Sequence, residues 1–364
     1  MSESGAGPLE GVKVLEFEGM GPGPLASMML ADMGAHVLRI DRPKQSIVAV
    51  ESPSRTVGRG KEYVALNLKD PADHRTALGF IEQADVLIDS YRPGVMERIG
   101  LGPEVCLPLR PALVYGRMTG WGQVGPLAAK AGHDINFLAI AGLLNGIGRA
   151  GEPPAPPLNL VADNGGGAML LAFGIACALV RARLTGVGEV IDAAMIDGSS
   201  LLMTQVHEQM QTGDWSDRRG ENFLDGGAPF YDAYETRDGR YVAIGATEMP
   251  FFQEFLRRIG LPEYVEVAHD DRSTWPETKQ AVSARLAERT RQEWVDLLED
   301  ADVCFTPVLT MAEARENAHI RARGGYVHLD GLHQPLPAPR LASGARPVGR
   351  SARPWGGRDD SVWK

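Results

Sequence analysis

Short apolar runs alternate with helical patterns through the first third of the chain, and this alternation restricts the possible folds more than any other feature of the sequence. Val12–Phe17, His36–Ile40, Tyr63–Leu68, Val86–Asp89 and Leu113–Met118 read as buried strands, with helices at Leu25–Met33 and Pro71–Gln83 between them. Strands that are apolar on both faces and separated by helices predict a parallel sheet covered on both sides. The expectation is therefore a doubly wound α/β unit over about the first 120 residues.

The turn after the first strand, Gly19-Met20-Gly21-Pro22-Gly23-Pro24, and Asp41 about twenty residues further on invite a dinucleotide-binding reading. Two details oppose it. The glycines run Gly-x-Gly-x-Gly instead of Gly-x-Gly-x-x-Gly, and Pro22 and Pro24 delete amide donors that a pyrophosphate needs. A tight strand-to-helix turn is the simpler reading.

Beyond this unit, four prolines make 150–157 a loop. Gly165–Val180 then reads as a buried Gly/Ala-rich helix, Glu189–Ala194 as a strand and Ile196–Met210 as a long apolar helix. Tyr231–Glu235 and Tyr241–Ile244 flank an Asp238-Gly239 turn, the mark of a hairpin. Helices at Pro250–Ile259, Thr274–Ala287 and Arg291–Leu298 complete a second, smaller unit, and Pro335–Pro354 reads as an extended strap.

The 364 residues are 44% hydrophobic, enough for a sizeable core. A net charge of -10, from 37 Lys+Arg against 47 Asp+Glu, disfavours nonspecific nucleic-acid binding. Cys106, Cys177 and Cys304 form no Cys-x-x-Cys pair, which points to a reducing compartment, argues against structural zinc and suggests three small core residues. The first residues lack the pattern of a signal peptide, and Ser361-Val-Trp-Lys364 is no peroxisomal signal. The longest apolar stretch, Ala168–Val180, is too short to span a bilayer. A cytoplasmic enzyme without a membrane span is expected.

Three polar residues stand in small-residue settings unlike ordinary surface: His133 in Gly132-His-Asp-Ile-Asn136, Asp163 before Asn164-Gly-Gly-Gly167, and Glu248 before Met249-Pro250. A base and two carboxyl groups suffice for proton transfer without a metal or redox cofactor. Each also has a structural reading. A histidine is more often structural than catalytic, Asp163 fits an N-cap of the following helix, and Glu248 suits a helix first turn. Asp134 either hydrogen-bonds near His133 or satisfies local backbone donors.

Eight segments carry a family resemblance. Gly21-Pro-Gly-Pro24, Arg39-Ile-Asp-Arg-Pro43, Ala65-Leu-Asn-Leu-Lys69, Tyr91-Arg-Pro-Gly94, Gly120-Trp-Gly-Gln123, Gly132-His-Asp-Ile-Asn136, Pro157-Leu-Asn-Leu160 and Asp192-Ala-Ala-Met195-Ile-Asp197-Gly198 occur in this order. From Leu9 to about Arg340 the chain resembles the family III CoA-transferase superfamily. In the transferases the aspartate equivalent to Asp163 is a nucleophile that becomes an acyl anhydride. The Gly-His-Asp-Ile-Asn segment resembles the branch that racemises 2-methylacyl-CoA thioesters, which keeps that aspartate and adds the histidine.

The resemblance implies site residues. His133 and Asp163 would serve opposite faces of the α-carbon, with Glu248 polarising the His133 imidazole and Asp134 beside it. The Asp163 amide, at a helix start, would donate to the thioester oxygen. Arg42, Arg92 and Arg98 would surround the nucleotide, lined by Leu66, Asn67, Leu68 and Lys69 and by Ser90, Tyr91 and Arg92. Gly132, Ile135, Asn136 and Phe137 would follow the thioester end, while Arg59 and Lys61 would add positive potential. CoA is then part of the substrate, an acyl-CoA thioester, and no separate cofactor or metal is expected.

The implied architecture is a Rossmann-like large domain, 1–193, completed by 338–364, with linker helices over 194–223, a small α+β domain over 224–315 and a return linker over 316–337. Two chains would interlock as a homodimer, bringing Glu248 to His133 across subunits. The alternatives are a CoA-transferase using Asp163 as nucleophile and a noncatalytic CoA-binding protein. The second leaves the His133, Asp163 and Glu248 set unexplained.

Overall fold

The computed structural model describes residues 7–43, 56–267, 269–342 and 353–354. Two compact units emerge, one from Met1–Ala141, Leu158–Leu202 and Arg321–Lys364, the other from Gly142–Pro157 and Met203–Ile320. The proline-rich loop thus clusters with the small unit, although its sequence position had suggested the large one. Residues 44–55 and most of the expected completing tail, 343–352 and 355–364, lie outside the described residues.

In the large unit the chain runs β1 (Lys13–Phe17), α1 (Pro22–Asp32), β2 (His36–Asp41), β3 (Lys61–Ala65), α2 (Pro71–Ile81), β4 (Val86–Asp89), α3 (Val95–Arg98), α4 (Pro103–Leu109) and β5 (Val114–Thr119). After α5 (Asp134–Ile140) come a π-helical segment, Leu160–Met169, then α6 (Leu170–Thr185), β6 (Glu189–Ala194) and α7 (Met195–Leu202). The strands form one parallel sheet in the order β3-β2-β1-β4-β5-β6, and Arg353–Pro354 adds a short parallel strand beside β3. Strand order reverses between β1 and β4, so a crevice opens at their C-terminal ends, where doubly wound sheets bind ligands.

Helix α1 starts at Pro22, earlier than its apolar pattern suggests, because proline costs no hydrogen bond in a first turn. Gly21, with φ +70, supplies the turn into it. Below, Leu15, Phe17, Leu38, Phe80, Leu87 and Tyr115 are fully or almost fully buried in one core cluster.

The helix predicted over Gly165–Val180 is longer than its sequence pattern. It runs unbroken over Leu160–Thr185, 26 residues, and is long and apolar enough to cross a membrane by length and composition. This corrects the expectation that no segment reaches that length. In this fold α6 packs on β5 and β6, and the π-helical segment packs on α1, α5 and α7. The glycine run makes the second contact possible: a Cβ on Gly166 would lie 2.9 Å from the Ser199 amide nitrogen, and one on Gly198 would lie 2.0 Å from the Gly166 carbonyl. Backbone meets backbone there. On α6, Phe173, Val180 and Leu184 are exposed while Leu171, Ile175 and Ala182 are buried.

Cys106 is buried as expected, whereas Cys177 and Cys304 are exposed. The expected return linker contains a hairpin, Tyr326–Leu329 with Leu332–Pro335, turned by Asp330 (φ 54) and Gly331 (φ 77).

In the small unit, after 142–157, comes α8 (Thr204–Thr212), separated from α7 by a break at Met203 in what reads as one helix. Strands β7 (Tyr231–Glu235) and β8 (Tyr241–Gly245) pair antiparallel about the expected turn, and β9 (Phe305–Pro307) joins β8. Against this sheet α9 (Met249–Ile259), α10 (Trp275–Leu286) and α11 (Arg291–Leu298) form a core around Phe230, Phe255 and Trp294.

Candidate active site

A cleft of about 210 Å³ lies at the C-terminal ends of β1, β4 and β5. Met20 and Pro22 line it after β1, residues 90–93 after β4, residues 118–121 at the end of β5 and residues 130–133 ahead of α5, with Phe137 and Met195 closing it. Every wall comes from a segment that leaves a strand or enters a helix. Sheet topology alone therefore brings residues far apart in sequence to one crevice.

His133 is the N-cap of α5 and exposed, and its backbone N–H donates to Asn136 Oδ1 at 3.1 Å. The next residue, Asp134, is 5% exposed, and its Oδ2 accepts the backbone amides of Ala162 and Asp163, each at 2.8 Å. Asp134 Oδ1 is buried with no hydrogen-bond partner among the described residues. The sequence reading of Asp134 as an acceptor for local backbone donors is corrected: the amides it accepts belong to a segment 28 and 29 residues away.

Two expectations for Asp163 are overturned. Its amide is already engaged, so it is not a free donor to a thioester oxygen. Nor is Asp163 an N-cap, because the π-helical segment begins three residues earlier, with Asn159 at the cap position. Instead the Asp163 side chain points beside the turn into α1: a Cβ on Gly21 would lie 3.5 Å from Asp163 Oδ2, and Asn159 Nδ2 donates to the same oxygen at 3.5 Å. Burial and then the Asp134 charge push the Asp163 carboxyl above its ordinary range, while Asn159 and the His133 charge pull it back. His133 thus acts on Asp163 through its charge, the smallest of these four influences. The amides of Asp134 and Ile135 have no hydrogen-bond acceptor among the described residues, as expected for helix first-turn donors.

Of the residues implied to hold a nucleotide, Ser90, Tyr91 and Arg92 line the cleft. The Arg42 guanidinium stands 5.4 Å from the centroid of the Tyr91 ring, and Arg98 lies on α3 beside Gly94. Asn67 and Lys69 are exposed past the end of β3. Leu66 is 1% exposed and Leu68 packs on the same core, so their side chains do not line a ligand surface.

Gly132 and Phe137 line the cleft, but Ile135 and Asn136 do not, and Asn136 Oδ1 accepts the His133 amide. Phe137 stacks edge-on against Trp121 at 4.7 Å. Arg59 and Lys61 add no positive potential there. Both are buried and neutralised, Arg59 Nη2 pairing with Asp32 at 2.6 Å and Lys61 Nζ with Glu16 at 2.7 Å.

Met20, Met118, Thr119, Trp121, Lys130 and Met195 line the cleft without having been assigned to it. Trp121 had a signal, since Gly120-Trp-Gly-Gln123 directly follows a predicted strand.

Glu248 belongs to the small unit, at the N-cap position of α9, and its Oε2 accepts from the Thr247 hydroxyl at 2.9 Å. That unit has a larger hollow of about 640 Å³, lined by Arg149, Tyr231, Asp232 and Cys304 among others. Of the four charged residues that line it, Arg149 and Asp232 are paired with each other at 2.6 Å and Asp225 accepts the Gly220 and Asn222 amides, so size does not make it the site of proton transfer.

The family model for CoA-transferase family III matches residues 9–360. Alpha-methylacyl-CoA racemase of Mus musculus is 40% identical over 354 residues, covering 97% of this chain and 90% of the mouse protein. The Homo sapiens protein of the same name is 41% identical over 334 residues, covering 92% of this chain and 86% of the human one. The crystal structure of Rv3272 from M. tuberculosis, orthorhombic form, has a TM-score of 0.80 at 26% identity and covers 99% of each chain.

Proposed function

We propose, from the premise that this chain belongs to CoA-transferase family III, that it is a 2-methylacyl-CoA racemase interconverting (2R)- and (2S)-thioesters. The observation that carries the reading is the electrostatic interaction of His133, which lines the sheet-end cleft, with the half-buried Asp163 carboxyl. A transferase needs only the aspartate; inversion of a stereocentre needs two groups on opposite faces.

In one direction the neutral His133 imidazole takes the α-proton, the C–H electron pair moves onto the thioester oxygen as an enolate, and the Asp163 carboxylic acid returns a proton to the other face. The reverse direction exchanges these roles. The raised affinity of Asp163 for a proton suits a group that must hold a proton and return it. The free amides of Asp134 and Ile135, next to His133, are the proposed donors to the enolate oxygen, replacing the occupied Asp163 amide. No electrons leave the substrate and CoA departs with the product, so the reaction calls for no metal or redox cofactor.

Arg42, Arg92 and Arg98 are the proposed partners of the CoA phosphates, where guanidinium groups form charge-assisted pairs. We also propose a homodimer, supported by the exposed Phe173, Val180 and Leu184 on the long helix, and a role for Glu248 of the partner subunit in polarising His133. The free cysteines support a reducing, cytoplasmic location.

Incubating a 2-methylacyl-CoA in deuterated water tests the activity. Deuterium should enter the α-position while the stereocentre scrambles. Absence of exchange, with CoA passed to an added carboxylate, would replace this reading by a transferase.

A further inference from the structure

Residues proposed to take the CoA nucleotide sit on an irregular stretch, 90–98, that has little regular structure to hold it. Gly94 turns there with φ +78, and α3 contributes four residues. Next to it, on β5, Arg117 lies opposite Asp89 in the parallel ladder. The Arg117 side chain is 10% exposed, with Nη1 2.8 Å from Glu97 Oε1 and Nη2 donating to Glu97 Oε2 at 3.3 Å. Its Nε stands 3.8 Å from Asp89 Oδ2. Asp89 in turn, 1% exposed, accepts the Tyr91 amide at 2.7 Å.

One buried cation therefore reaches both ends of the stretch. Through Asp89 it meets the turn that places Tyr91 and Arg92, and through Glu97 it meets the residue next to Arg98. Arg117 itself does not line the cleft. Among the described residues neither Arg92 nor Arg98 has an ion-pair partner, so both are available to an anion, whereas Arg117 is committed to two carboxylates. A two-pronged guanidinium fixes the orientation of Glu97, which a lysine's point charge does not.

We propose that Arg117 is a positioning residue for the CoA nucleotide site, holding Tyr91, Arg92 and Arg98 in place through Asp89 and Glu97. The proposal rests on the reading of 90–98 as the nucleotide-binding stretch. A substrate without the nucleotide should not depend on it. The acyl-pantetheine thioester, which carries the same reacting carbon, is that substrate.

The experiment compares KM and kcat of full-length Glu97→Gln and Arg117→Lys on a 2-methylacyl-CoA and on the matching acyl-pantetheine, with Arg98→Ala alongside. Both positioning variants should raise KM for the CoA thioester about tenfold, equivalent to about 1.4 kcal/mol, with kcat within about twofold and pantetheine KM unchanged. If Arg117→Lys fails to fold, Glu97→Gln decides, because Glu97 is 34% exposed and its loss is tolerated more easily. Equal KM changes on both thioesters, or none, overturn the positioning role when Arg98→Ala is CoA-selective. If Arg98→Ala is not CoA-selective either, the nucleotide assignment fails, and the positioning role with it.

Discussion

The carboxylate of Asp134 accepts the backbone amide of Asp163 at 2.8 Å, so the residue following one proposed base clamps the peptide that carries the other. The same oxygen also takes the Ala162 amide at 2.8 Å, and the carboxylate is almost wholly buried. Two roles are combined in it: a fixed acceptor for two amides, and a negative charge that raises the proton affinity of Asp163.

Substitutions at Asp134 separate those roles. Asp134→Asn keeps an acceptor oxygen but removes the charge, so the Asp163 carboxyl should become more acidic. The limb of the pH–exchange profile belonging to Asp163 then moves to lower pH. Asp134→Ala leaves two buried amides without an acceptor and should cost about 1–3 kcal/mol in denaturant unfolding. An unmoved pH profile in Asp134→Asn would remove the electrostatic link.

His133→Ala and Asp163→Ala should each lower racemisation by about 10²–10⁴-fold, the usual contribution of a positioned acid or base. Free CoA should still inhibit both variants competitively, since neither residue is assigned to the nucleotide. Racemisation at the wild-type rate in either variant would remove that residue from the mechanism.

Asp89 offers a test of stability against pH. Burial is the main cause that raises its carboxyl to about 6 from an ordinary 3.8, with Glu97 adding to it and the Tyr91 amide and Arg117 opposing. Between those values the folded state binds the proton more often than the unfolded chain, so this group's contribution to stability falls as pH rises from about 4 to about 6. The loss is on the order of 3 kcal/mol across the window. Measured against the wild type, Asp89→Asn should therefore gain stability as pH rises through that window and level off above it. A constant difference would refute the shift.

Gly120→Ala should overpack the cleft wall, because its Cβ would come 2.2 Å from Phe137 Cε1. A penalty of about 1–3 kcal/mol in thermal or denaturant unfolding is expected. Phe137→Leu in the same chain should relieve part of it, as the rigid ring edge is then gone. No relief would place the strain elsewhere.

Much of the framework was legible because it depends on local pattern. Val86–Asp89, Glu189–Ala194 and Arg291–Leu298 fall on the residues that periodicity marks, and the hairpin at Asp238-Gly239 follows its turn signal. The second hairpin carried the same kind of signal at Asp330-Gly331, but a short strand pair in a tail otherwise rich in proline and glycine is easily read as linker. At the site, His133 and Asp163 stood out by their settings and by resemblance, as did Ser90, Tyr91 and Arg92. Leu66, Leu68, Ile135 and Asn136 did not line it, because a motif marks a stretch of chain without saying which way each side chain points.

Sequence alone determined the alternation that builds a doubly wound sheet and the identity of the residues able to move a proton, since both follow from side-chain type and spacing along the chain. Tertiary structure alone decided that Asp134 occupies the Asp163 amide, that the glycine run packs against α7, and that Arg117 reaches Glu97. These contacts join residues 29 positions apart in the first case and 20 in the last. Their formation depends on how strands order in the sheet and how closely helices approach, and local spacing carries no record of either.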